Sequence, residues 1–329
     1  MHRRRVLALL TAAVAGCSGQ DAATETQTAT PTAADTQTAT DTQTATDTQT
    51  DTPTETGTAT PGAPERAGNE AIAEVEKTLN SVVATYGGAD SDSLLGADAS
   101  TTDFRGGRIA GSLTEAETEL ETARERAVTR EQQRTVERLA VTIRFLELAL
   151  QIQTALGNAF FELERARNGI DQEDGEDARD NLSRMESERQ LAMPLFESLR
   201  AETDAAAVSV ISNIDTADYE AKIAQFDAEI AALGGLRSRV ERLSRAVSRL
   251  AAARAQDQNN SESAVETAQR AASELDDAEA SLQTFLDDLS EPADSLTEIT
   301  EELIAITARK ATAAREIAGE TATPTETAN

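Results

Sequence analysis

From Ile72 to Ile317 the apolar residues of this chain recur at steps of three and four, and few stretches alternate as a strand would. Such steps keep side chains on one stripe of a 3.6-residue helix, whereas a strand requires steps of two. Ala, Leu, Glu and Arg, which favour helix, dominate the same region. The pattern predicts an all-α domain over residues 64–318, an antiparallel multi-helix bundle packed through coiled-coil-like seams.

Individual helices follow from the spacing. Ile72, Val75, Leu79, Val82 and Tyr86 predict a helix over 65–86, and the glycine pairs at 87–88 and 106–107 bound a loop over 87–111. Ser112 with Glu115 reads as a capping box opening one helix that continues to Arg167. Between residues 139 and 163 that helix carries only Arg144, Glu147 and Glu162 as charges, which predicts a helix surrounded by neighbours. The length would also suit a bilayer, but Arg144, Glu147, Gln151 and Gln153 in its middle favour a bundle interior.

After an acidic turn over 168–175, helices are expected over 176–201, kinked at Pro194, and over 216–254. The latter seam runs Ile223, Phe226, Ile230, Leu233, Leu236, Val240, Leu243, Val247 and Leu250. Its step from Leu233 to Leu236, beside Gly234-Gly235, breaks the repeat and predicts a local distortion. Val265, Ala268, Ala272 and Leu275 begin a helix over 261–289. Ser290–Asp294 reads as a tight hairpin turn or as a kink in one helix over 261–318, and Ser295 with Glu298, a second capping box opening 295–317, favours the hairpin.

The N-terminal region is of a different kind. Arg3, Arg4 and Arg5 precede an uncharged run from Val6 to Gly16, the proportions of a signal peptide over 1–16 and too short for a membrane span. Arg3-Arg4 followed by Arg5, Val6 and Leu7 matches a twin-arginine export pattern, with Sec export as the alternative. Val14-Ala15-Gly16-Cys17 resembles a lipobox, in which the Cys17 thiol takes a diacylglyceryl group. Residues 18–63 hold eighteen Thr, seven acids and no Val, Ile, Leu, Met, Phe or Tyr. Such a segment has no apolar surface to offset the entropy of ordering, so 17–63 is expected to be a disordered tether and 319–329 a disordered tail.

These motifs, with 59 acids against 30 basic residues of which only Lys77, Lys222 and Lys310 are lysines, resemble the exported lipoproteins of haloarchaea. The resemblance rests on motifs over roughly residues 1–60 and on composition beyond them. It implies a protein anchored by lipid to the extracellular face of the cell membrane in molar salt, and it implies no activity.

Composition narrows the chemistry. A formal charge of −29 and 3% aromatic residues argue against a nucleic-acid partner. A single Cys provides no disulfide or zinc framework, and removal of the signal peptide takes away His2, the one histidine. Ser-His-Asp, Cys-His and carboxylate-histidine di-iron centres are thereby excluded; no cofactor or metal is expected, and no enzyme. The acids Asp171, Glu173, Asp174, Glu176 and Asp177 offer oxygen ligands but lack EF-hand spacing, and read as hydrated surface.

The strongest anomaly is a basic stripe, Arg239, Arg242, Arg245 and Arg249, read as a docking face for an acidic partner or, more plainly, as pairing with acids such as Glu266 and Glu274 on neighbouring helices. Asn181 and Asn259 open N-glycosylation sequons. The leading expectation is a surface-anchored interaction or scaffold module with an envelope protein partner. The alternative is an accessory lipoprotein holding a small molecule between helices for uptake or sensing, which a cavity near Phe145, Phe160 and Phe161 would favour. A carboxylate-based hydrolase ranks third.

Overall fold

A computed structural model describes residues 62–88 and 93–319. The expectations for Arg3, Arg4, Cys17, the tether up to residue 61 and the tail from residue 320 lie outside the described residues. Those described form eight α-helices and no strand: α1 (Ala63–Tyr86), α2 (Gly106–Arg126), α3 (Arg130–Asp171), α4 (Gly175–Glu202), α5 (Ala205–Val208), α6 (Thr216–Gln258), α7 (Ala264–Asp288) and α8 (Thr297–Ile317). The expected antiparallel bundle is present. α1 and α2 pair, α3 and α4 pair, and α6, α7 and α8 pack in succession, with α4 joining the second pair to α6.

The single long helix expected from Ser112 is two helices. α2 begins earlier, at Gly106, so part of the expected loop is helical and Ser112–Glu115 lies inside a helix. The chain then breaks at 127–129, where Thr129 and Gln132 form a reciprocal capping box. Gln132 reinforces the break: its side-chain carbonyl accepts from the Val128 and Thr129 amides, while its amide donates to the Glu65 carbonyl and to Asn69 of α1. One buried glutamine thus ends the run and ties the turn to α1.

α3 is the one helix among the described residues long and apolar enough to cross a membrane, and 61% of its apolar window is buried within the bundle. Leu139, Phe145, Leu146, Leu148, Ile152 and Leu156 lie on more than one of its faces and are buried, as expected for a helix with neighbours around it. Ser295 does not cap α8. A 3-10 turn over Glu291–Leu296 leads into the helix, and the Ser295 hydroxyl donates instead to Glu229 of α6. Antiparallel packing of α7 on α8 makes 261–318 a hairpin. Val265 sits outside the α7 seam, 46% exposed, with Ala264 buried beside it.

Glycines mark close helix approaches, as at Gly175 and Gly235. A Cβ on Gly175, at the start of α4, would lie 2.4 Å from the Ser244 carbonyl oxygen of α6. One on Gly235 would lie 3.0 Å from the Phe285 ring of α7. Gly175→Ala should therefore force α4 off α6 at a cost of about 2 kcal/mol, lowering Tm by roughly 4–8 °C. Gly111→Ala, where the added carbon meets open space, should leave Tm unchanged or raise it. Thermal denaturation of both variants checks the pair.

Candidate functional site

The apolar seam of α6 runs back from Leu250 through Val247, Leu243, Val240, Leu236 and Leu233, and continuing its steps reaches position 229, then 226, 222 and 219. These positions are Glu229, Phe226, Lys222 and Tyr219, and Lys222 and Glu229 have no solvent-exposed surface at all. The distortion expected at Gly234-Gly235 is absent, and α6 is continuous. The apparent break arises only if the apolar Ile223 and Ile230 are taken for seam residues in place of the charged Lys222 and Glu229. The true repeat never falters.

Both groups reach toward the segment between α1 and α2. The Lys222 ammonium donates to the Ala97 carbonyl at 2.6 Å, to Gln225 Oε1 at 3.0 Å and to Gln153 Oε1 at 3.2 Å. The rings of Phe226 and Tyr86 stand 4.5 and 5.2 Å from it, so its three protons and its charge are all met. Glu229 Oε1 accepts from the Ala99 amide at 3.0 Å and from Ser295 at 3.1 Å. Gln153 of α3 donates to the Asp98 carbonyl, and the Tyr86 hydroxyl donates to the Ala149 carbonyl at 3.1 Å. Burial holds the Tyr86 hydroxyl well above its ordinary pKa, with the Glu229 carboxylate adding to the shift, so it remains a donor. Three consecutive loop residues, Ala97 to Ala99, are in this way clamped by three buried side chains.

Beyond the clamp the loop turns outward and forms a wall. Ala99 to Thr102 and Phe104 close one side of a cleft of about 1260 Å³ whose floor is α3, from Leu150 to Glu164. α2 and α4 both pack on α3 but not on each other, which leaves this face of α3 open between them. Phe104, Phe160, Phe161, Leu150, Leu191 and Leu195 supply the apolar lining; Phe161 and Leu191 are 55% and 57% exposed. Gln153, 1% exposed, belongs to both the clamp and the cleft. Gly107 and Gly157 line the cleft, and a Cβ on either would meet nothing within 4 Å.

The residues singled out from sequence are spread over the molecule. Phe160 and Phe161 line the cleft, whereas Phe145 is buried in the core against the Tyr219 ring. Of the arginine stripe, Arg239 donates to the Gly235 and Ser281 carbonyls and covers the Phe285 ring, Arg242 donates to the Ser281 hydroxyl and Arg249 pairs with Glu274 at 2.7 Å. Arg245 is exposed. The stripe is thus largely built into the α6–α7 interface.

The acidic turn is likewise committed. Glu173 meets Arg254 and Lys310, Asp171 meets Arg309, and Asp174 caps α4. No group of three or more metal-ligating side chains comes together among the described residues. Asn181 is a correction: it is fully buried inside α4, its amide donating to Asp177, and the folded domain has no room there for a glycan. Asn259 is exposed at the end of α6.

Sequence reasoning missed Lys222, Glu229, Gln153 and the glycine-lined floor. The signal for the first two was present, as charged residues at seam spacing; Gln153 and Phe104 carry no comparable mark. The chain matches no protein-family model, no curated protein and no solved structure.

Loss of hydration pushes the Lys222 ammonium down to about 7 and the Glu229 carboxyl up to about 7, and the opposite charge of each opposes the other's shift. For Lys222, the folded protein releases at about 7 a proton that the unfolded chain keeps to 10.5, so stability rises with pH through that window. For Glu229, the folded protein keeps up to about 7 a proton that the unfolded chain loses from 4.5, so stability falls as pH rises through that lower window. Denaturant melts should show wild type gaining on Lys222→Met from neutral to alkaline pH, and losing on Glu229→Gln from acid to neutral. The slopes should approach but not exceed about 1.4 kcal/mol per pH unit.

Proposed function

We propose that this chain is a surface-anchored lipoprotein of the cell envelope whose helical bundle binds a largely apolar small molecule in the cleft over α3, as an accessory to uptake or sensing. The observation that carries the reading is Gly157. Glycine in a helix interior costs up to about 1 kcal/mol relative to alanine, and Gly157 has no neighbour that an alanine would touch. No packing contact in the domain explains it. Unlike Gly111, which also meets open space, Gly157 lines the cleft, where an open floor for a ligand accounts for it.

Further support comes from the lining, where rings and aliphatic side chains surround a few polar groups, as in small-molecule sites generally. The clamp on Ala97–Ala99 holds one wall in place before any ligand arrives, which lowers the ordering cost of binding. Docking of an envelope protein through the arginine stripe is less well supported, because Arg239, Arg242 and Arg249 are engaged within the bundle. Twin-arginine export through Arg3-Arg4, lipidation at Cys17 and life in molar salt belong to the proposal through the sequence motifs and composition. Among the described residues, the ionisable groups that line the cleft, Glu164 and Glu188, are half-buried and belong to no buried hydrogen-bond network, which favours binding over acid–base chemistry.

Gly157→Leu separates function from folding. The substitution should leave Tm unchanged or raise it by a few degrees, since it removes a helix-interior glycine and the added Cβ meets nothing within 4 Å. It should also weaken binding of the neutral apolar fluorophore Nile red at least tenfold. Undiminished Nile red binding in the folded variant would remove the cleft as the site.

A further inference from the structure

Two kinds of carboxylate stand at and beside the cleft. Glu162 and Glu186, which lie outside it, are neutralised by arginines: Arg165 and Arg184 approach Glu162 at 3.7 and 3.8 Å, and Arg189 forms a two-pronged pair with Glu186 at 2.8 and 2.9 Å. Among the described residues, Glu164 and Glu188, which line the cleft, form no ion pair, and no Lys or Arg lines it. Glu188 accepts one hydrogen bond, from the Asn158 amide at 3.3 Å. Arg165 and Arg184 stand at the rim, on the Phe161 ring and beside Glu162, and pair with Glu162 and not with the two half-buried carboxylates of the lining.

Phe104, Phe160 and Phe161 stand in that lining. Aromatic faces attract cations and apolar bodies alike, and anions poorly. The Phe161 ring already holds a guanidinium, that of Arg165, 5.8 Å from its centroid. The combination of rings, aliphatic side chains and unpaired carboxylates without a basic group complements one chemistry: an apolar body carrying a positive charge.

Resting on the reading of the cleft as a ligand site, we infer that its ligand is a cationic amphiphile, an amine or quaternary ammonium borne on an aliphatic or aromatic body, with the charge at Glu164 and Glu188 and the body over Gly157. In molar salt the Debye length is about 3 Å, so the carboxylates select by direct contact and not by a long-range field. The preference for a cation therefore survives at high salt.

The test is a matched series of decyltrimethylammonium, decyl maltoside and decyl sulfate. Each is titrated below its critical micelle concentration into the folded domain in molar NaCl and followed by calorimetry. The inference predicts the trimethylammonium compound to bind at least tenfold more tightly than the sulfate. It also predicts that Glu164→Gln/Glu188→Gln, with unchanged helical circular dichroism, loses that preference while still binding the maltoside. Equal affinities in wild type, or a preference for the sulfate, would overturn the cationic ligand yet leave an apolar-ligand cleft standing. A preference that persists in the double variant would overturn the assignment to these carboxylates. Failure of all three compounds to bind would overturn the cleft reading itself.

Discussion

The structure depends on an ammonium and a carboxylate buried inside α6 that hold a loop in place. The segment from Ala97 to Ala99 has no helical hydrogen bonds of its own, and its residues are nevertheless buried or nearly so. Backbone polar groups in that position require partners. Lys222, Gln153 and Glu229 provide them, one for each of three consecutive residues. Burying ionisable groups is costly, and apolar replacements are often more stable. What the charged pair provides is a fixed position for the loop, and with it a wall for the cleft.

Seen from the clamp, the helix arrangement has a functional logic. Gln132 ends one helix run and pins the α2–α3 turn to α1. α2 and α4 flank α3 apart from each other, and the loop fills one end of the gap between them. The floor is left low by Gly157, the sides are apolar, and the charges within are acidic.

Much of the fold was legible because helix seams are written directly in apolar spacing. α1, α4, α7 and the α7–α8 hairpin appear near their expected places for that reason. Boundaries set by side-chain hydrogen bonds were less legible. Thr129–Gln132 is a capping box in sequence, but its partner on α1 is 63 residues away, and the run looks continuous without it. The site was hidden by a reasonable habit of reading, which assigns core positions to apolar residues. That habit replaced Lys222 and Glu229 by Ile223 and Ile230 and turned an unbroken seam into an apparent distortion at two glycines. Phe160 and Phe161 were visible as aromatics in an aromatic-poor chain, but the openness around them depends on how far α2 stands from α4, which no local pattern encodes.

The central claim, that buried side chains of α6 and α3 fix the 97–99 loop, is tested most directly by hydrogen exchange at the Ala99 amide. This amide lies in a loop, yet it donates to a fully buried carboxyl. The account predicts protection comparable to the amides of the α6 core, opening only with the domain as a whole. Exchange at the rate of an unprotected loop would contradict it, because the loop would then be free and the cleft would have no fixed wall.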